Sequence, residues 1–176
     1  LHRWNDVVYG NGQWLAVAKN PGTTATGAPI KMMTSPDAVT WTSRDGPTWD
    51  VCGWFLGVTY HNGLFVATRD TSSQNVPQCT CKLMTSPDAI TWTCRSVNMF
   101  FNWALLAHGN NLFVAIGDQT GTMTRVATSP DGTTWTVRDA TAEPGTDPIN
   151  NPKVWCGLTY GNNMFVAVAT KGAHRV

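Results

Sequence analysis

Charge is scarce in this chain. Asp, Glu, Lys and Arg make up 13% of its 176 residues, and the formal net charge is +1. No basic stripe is present, which argues against nucleic acid as a partner. Glutamate occurs once, at Glu143, and tyrosine three times, at Tyr9, Tyr60 and Tyr160. Long apolar runs are also missing. Stretches such as Leu112-Phe113-Val114-Ala115-Ile116 fall far short of the ~20 residues that a membrane-spanning helix needs, so membrane insertion is not expected. Leu1-His2-Arg3-Trp4 does not read as a signal peptide. There is no Asn-x-Ser/Thr sequon, so N-glycosylation is not expected. The five cysteines, at 52, 79, 81, 94 and 156, match no zinc spacing, because Cys79-x-Cys81 lacks a second pair. No metal or cofactor is expected.

What is abundant is Thr, Gly, Trp and Val, without helical periodicity, and this points to an all-β protein. The sequence Thr-Ser-Pro-Asp-x-x-Thr-Trp-Thr occurs three times, at Thr34–Thr42, Thr85–Thr93 and Thr128–Thr136. A second motif occurs four times out of phase with it, as Tyr9-Gly10-Asn11-Gly12, Tyr60-His61-Asn62-Gly63, His108-Gly109-Asn110-Asn111 and Tyr160-Gly161-Asn162-Asn163. Asn-Gly and Asn-Asn between apolar runs are hairpin signals, since both residues tolerate positive φ. Five residues before each Tyr or His stands an aromatic: Trp4, Phe55, Trp103 and Trp155.

One repeating unit follows. Strand A ends in the Tyr, an Asn turn leads to strand B, a variable segment leads to strand C, and the Pro-Asp turn leads to strand D. Four short strands in roughly 40–50 residues is the size of a propeller blade. The expected blades cover about 4–45, 54–96 and 103–139, with a partial one at 155–176. About three and a half antiparallel blades suggest part of a longer propeller, or strands supplied by another copy. Because strands alternate in direction, the A–B and C–D turns share one end. The variable B–C and D–A segments share the other, where binding surfaces are usually built.

The box residues Ser35, Asp37, Trp41, Ser86, Asp88, Trp92, Ser129, Asp131 and Trp135 read as structural. The Asp can accept backbone N–H bonds as an Asx-turn, and an identical Asp in each blade marks a fold determinant rather than a catalyst. Gly132 suits a position that needs positive φ. Ala38 and Ala89 take that place in the other boxes, so no left-handed strain is expected there. Each box Trp is expected to pack between blades, and its truncation to cost roughly 3–5 kcal/mol. Arg44, Arg95 and Arg138 recur three residues after each box Trp and read as a solvated rim. Cys81 and Cys94 lie equidistant from the Pro87-Asp88 turn, as either a disulfide or a pair of buried thiols. Trp49 stands outside the repeats, in a D–A segment, where an aromatic can stack on a sugar or anchor a protein. With Asp45, Arg69, Asp70 and Asp118, it makes up the expected ligand-binding set.

The box Ser-Pro-Asp-Gly-x-Thr-Trp resembles the Asp-box, or BNR repeat, of sialidase-type β-propellers. It is also similar to repeats in bacterial, phage and large-virus surface proteins. The sialidase box has one more residue between Asp and Trp. The resemblance implies a structural box set away from the catalytic face. It also implies what a sialidase would require, namely an arginine cluster, a Tyr–Glu pair and an acid Asp, and the residues here supply no such set. The reading is therefore a non-enzymatic, extracellular, cell-surface or virion module that binds glycan or a surface protein. The alternatives are a fibre or shell subunit that self-assembles by strand sharing, and a fragment of a sialidase-like glycoside hydrolase.

Overall fold

The computed structural model describes residues 3–20, 31–46, 54–70, 81–95, 102–119, 123–139 and 155–169. They form strands and turns and fall into two compact units, Leu1–Val97 and Asn98–Val176. In the first unit, β1 (Arg3–Gly10), β2 (Gln13–Asn20), β3 (Lys31–Ser35) and β4 (Thr42–Asp45) make one sheet. A second sheet contains β5 (Trp54–His61), β6 (Leu64–Asp70), β7 (Leu83–Ser86) and β8 (Thr93–Arg95). In the second unit, β9 (Asn102–Gly109), β10 (Leu112–Gln119), β11 (Met123–Ser129) and β12 (Thr136–Asp139) make a third. The hairpin β13 (Trp155–Gly161) and β14 (Met164–Ala169) stands as a two-stranded sheet. Every pairing is antiparallel between sequence neighbours, the meander of a propeller blade.

Local chemistry explains the hairpins. The turn residues Asn11-Gly12, Asn62-Gly63, Asn110-Asn111 and Asn162-Asn163 all have positive φ, between 47° and 80°. Two consecutive left-handed residues define a type I′ turn, whose twist matches that of the flanking strands. Across each turn an aromatic pair closes the hairpin: Tyr9 on Trp14, Tyr60 on Phe65, His108 on Phe113 and Tyr160 on Phe165, with centroids 4.6–5.1 Å apart. Further along, strand A slips one residue against strand B in all four hairpins, at Asn5, Leu56, Ala104 and Cys156. Such bulges re-aim the chain near the rim of a sheet.

The core of the first unit lies between its two sheets. Leu15, Val17 and Met32 of one blade meet Phe55, Phe65, Met84 and Trp92 of the next. Each fully buried side chain of this kind contributes about 1.5–3 kcal/mol. Gly10 is buried beneath Tyr60, and a Cβ at Gly10 would fall inside the Tyr60 ring. The second unit repeats this junction, with Tyr160 over Gly109.

Cys81 and Cys94 are joined by a disulfide, with Cα atoms 5.5 Å apart. The strand register sets Met84, not Cys81, opposite Cys94, so the bridge runs diagonally across the β7–β8 hairpin.

Candidate functional site

The three boxes fold alike. In the first, the Asp37 carboxylate accepts the Val39 and Thr40 amides at 2.9 and 2.7 Å, and the Ser35 hydroxyl at 2.9 Å. Asp88 takes Ile90, Thr91 and Ser86 at 2.8, 2.6 and 3.0 Å. Asp131 takes Thr133, Thr134 and Ser129 at 2.8, 2.7 and 3.0 Å. Three donors hold each carboxylate in its charged form. The Thr40 amide, then Val39, lowers Asp37 to about 2. At Asp88 burial pushes upward, but the Thr91 and Ile90 amides outweigh it and leave the group at about 2. Asp131 is lowered too, by the Thr134 amide above all.

The residue after each Asp corrects the sequence reading. Ala38 and Ala89 have φ of 62° and 61°, beside 72° at Gly132. The position is left-handed in every box, and the Asp hydrogen bonds hold it there even when a Cβ is present. The Trp expectation also divides. Trp92 is buried, 5.9 Å from Phe55, in the core shared by two blades. Trp41 and Trp135 are half-buried and donate Nε1–H back to the carbonyls of Ala38 and Gly132 at 3.1 and 3.0 Å.

The recurring arginines have a definite partner. Arg44, Arg95 and Arg138 donate Nε–H to the first Thr of their own box, Thr34, Thr85 and Thr128, at 3.1, 2.8 and 3.2 Å. They brace the C–D hairpin rather than converge on a ligand.

Cross-blade bonds fix which end is scaffold. Asn11, in the A–B turn of the first blade, donates to the Pro87 carbonyl of the second blade's box at 3.2 Å, and Gln13 donates to the Asp88 carbonyl at 3.1 Å. The Asn turn and the box therefore lie at the same end. The Asp boxes form no site there, because their side chains are engaged within their own turns.

The opposite end carries the ligand-binding expectations. Asp45 is exposed and closes β4 opposite Lys31. Asp70 closes β6 opposite Trp54, and Asp118 lies in β10 opposite Asn102; both side chains lie outside the described residues, as does all of Trp49. Arg69 departs from expectation. It is fully buried, with its guanidinium 5.8 Å over the Phe55 ring and Nη1 donating to the Cys81 carbonyl at 3.3 Å. Facing the core of its blade, it packs on the disulfide-bearing segment instead of greeting a ligand.

Two residues at this end were missed. The Asp6 carboxylate accepts the Val58 amide at 2.9 Å and its neighbour Val7 at 2.8 Å, tying β1 to β5. Burial raises its pKa above the ordinary value, against both amides. Asn5, at the bulge, donates to the Leu56 carbonyl, which belongs to the equivalent bulge of the next blade. The available signal was the break in the repeat, since Asn5-Asp6 stands where other units have Leu56-Gly57 and Cys156-Gly157.

No protein-family model matches the chain, and no curated protein sequence does. Solved structures resemble it. A Bombyx mori GH32 β-fructofuranosidase, BmSUC1, as a mutant in complex with sucrose, gives a TM-score of 0.55 at 12% identity, covering 96% of this chain and 40% of that one. Native Bacillus subtilis arabinanase Arb43A gives 0.51 at 18%, covering 94% and 64%. YCF48 bound to D1 peptide gives 0.53 at 14%, covering 88% and 45%. The chain thus spans less than two thirds of each. Identities this low carry the fold and nothing narrower: the likeness extends to β-propellers in general, not to the Asp-box sialidases in particular. The chain is an all-β protein built of four-stranded antiparallel propeller blades.

Proposed function

We propose that this chain is a non-enzymatic propeller module that binds glycan or protein through the segments joining B to C and D to A. It would serve on an extracellular, cell-surface or virion protein. One observation carries the reading. The repeated polar residues, box Asp, Ser and Arg alike, are engaged in scaffold hydrogen bonds, which leaves the unrepeated segments to make the difference between ligands. The neighbours support both partner classes, since one is bound to sucrose and another to a peptide.

Trp49→Ala should weaken binding on a glycan or peptide array while leaving the melting temperature unchanged. An array profile identical to wild type would count against the reading. A second reading, part of a glycoside hydrolase, is favoured by the fructofuranosidase and arabinanase neighbours. Turnover of fluorogenic fructosides or arabinosides by the full-length protein would establish it instead, and binding without turnover would favour the module.

A further inference from the structure

The Tyr-over-Gly junction is a lock with two halves. The glycine closing strand A of one blade accepts the tyrosine of the following blade, and this happens twice within the chain: Tyr60 sits on Gly10 and Tyr160 sits on Gly109. In both places the glycine is buried, and any Cβ would occupy the space of the ring. Each locking tyrosine is presented in one way, stacked on the aromatic opposite it in its own hairpin, with centroids 4.6 and 4.7 Å apart.

Two halves of the same lock stand without their counterpart among the described residues. Gly161 closes β13 at the position of Gly10 and Gly109, is exposed, and would have nothing within 4 Å of an added Cβ. Tyr9 is 54% exposed, yet it is stacked on Trp14 at 5.1 Å, as the locking tyrosines are on their phenylalanines. Apolar surface accompanies each half. Val7 is exposed beside Tyr9 on β1, and Met164, Val166 and Val168 are exposed on β14. The equivalent strand-B residues Val17 and Val66 are fully buried in completed blades.

We propose that Gly161 and β14 form a docking surface for a second copy of this chain, with Tyr9 of one copy seated over Gly161 of the next. Two in-chain examples specify the occupant: a tyrosine at the end of a strand A, backed by a cross-turn aromatic, with a β-branched neighbour. Tyr9 meets that description. The contact is heterologous, since the two surfaces differ, so each added copy leaves one Tyr9 and one Gly161 at the ends.

The asymmetry gives a test that separates this contact from unspecific stickiness. Sedimentation velocity of the wild-type chain over a concentration series should show concentration-dependent association. Tyr9→Ser removes one half of the lock and Gly161→Leu obstructs the other. Both positions are exposed, so melting temperature and far-UV circular dichroism should stay at wild-type values. Each variant alone should associate at least about tenfold more weakly, as for loss of a central aromatic anchor. An equimolar mixture of the two retains one intact pairing, Tyr9 of the Gly161→Leu chain on Gly161 of the Tyr9→Ser chain. It should form a dimer and nothing larger. A wild-type chain that stays monomeric at every concentration overturns the proposal, as do single variants that associate like wild type, or a mixture that fails to dimerise.

Discussion

Ala38 and Ala89 are alanines in a conformation that disfavours any Cβ, at a cost of roughly 1–2 kcal/mol each. Three donors on the neighbouring Asp over-determine the turn and hold the strain. Ala38 is exposed, so Ala38→Gly should relieve strain without losing packing. It should stabilise the chain by about 1 kcal/mol and raise the melting temperature by about 2–4 °C. Ala89 is fully buried in the core, where lost methyl contacts should cancel the gain, and thermal melts of the two variants side by side would check this. The sequence hid the strain because two alanines outnumbered one glycine; residue identity reported tolerance, not φ. The box carboxylates set a pH dependence. Asp37 and Asp88 fall from 3.8 to about 2 on folding, so the unfolded chain binds protons first. Their stabilisation is complete above pH ~4 and is lost as pH falls toward ~2. Melting temperature should drop across that window, and the Asp37→Asn, Asp88→Asn double variant should start lower and decline less. Asp6 has the opposite sign. Its raised pKa favours the folded state below the ordinary carboxylate value and gives that up as pH rises.

At the scale of strands and hairpins, the elements legible in the sequence were those fixed by neighbours in the chain. Asn-Gly and Asn-Asn turns reveal themselves, because positive φ at both positions is a local demand. The junction between blades does not. Gly10 reads as part of a turn motif, yet its decisive contact is Tyr60, 50 residues on. Gly10→Ala should therefore destabilise the chain by about 1–3 kcal/mol through overpacking. Gly161→Ala, with nothing near, should leave the melting temperature almost unchanged. Tyr60→Ala should relieve the Gly10→Ala clash, and a double-mutant cycle would read this as a coupling. The bulges at Asn5, Leu56 and Cys156 were equally unreadable, since a one-residue slip exists only once the register is known. The box tryptophans divide at this scale too. Trp92→Ala should cost about 3–5 kcal/mol, and Trp41→Ala less, because Trp41 is only half-buried.

For the whole molecule, repetition exposes the fold and conceals the site. Comparing units with one another identified the blades, since whatever recurs must serve what the blades share. The same comparison is blind to whatever occurs once. Arg69 looked like a loop residue beside a variable segment, but its burial depends on Phe55 and Cys81, partners that no repeat announces. The two ends of a blade are therefore separable by experiment. Asn11, Gln13 and the boxes bind the scaffold end together across blades, whereas the unrepeated segment 71–80 contributes none of these bonds. Replacing residues 71–80 with a Gly-Ser linker of equal length should leave the far-UV spectrum unchanged, and the melting temperature within the few degrees that loop changes usually produce. The same replacement should alter or abolish ligand recognition on the array. Breaking the scaffold end through Asp88→Ala should do the reverse, lowering the melting temperature while sparing ligand choice at temperatures where the chain stays folded. If the linker variant kept its ligands and the box variant lost them, recognition would have to be moved to the end that carries the boxes.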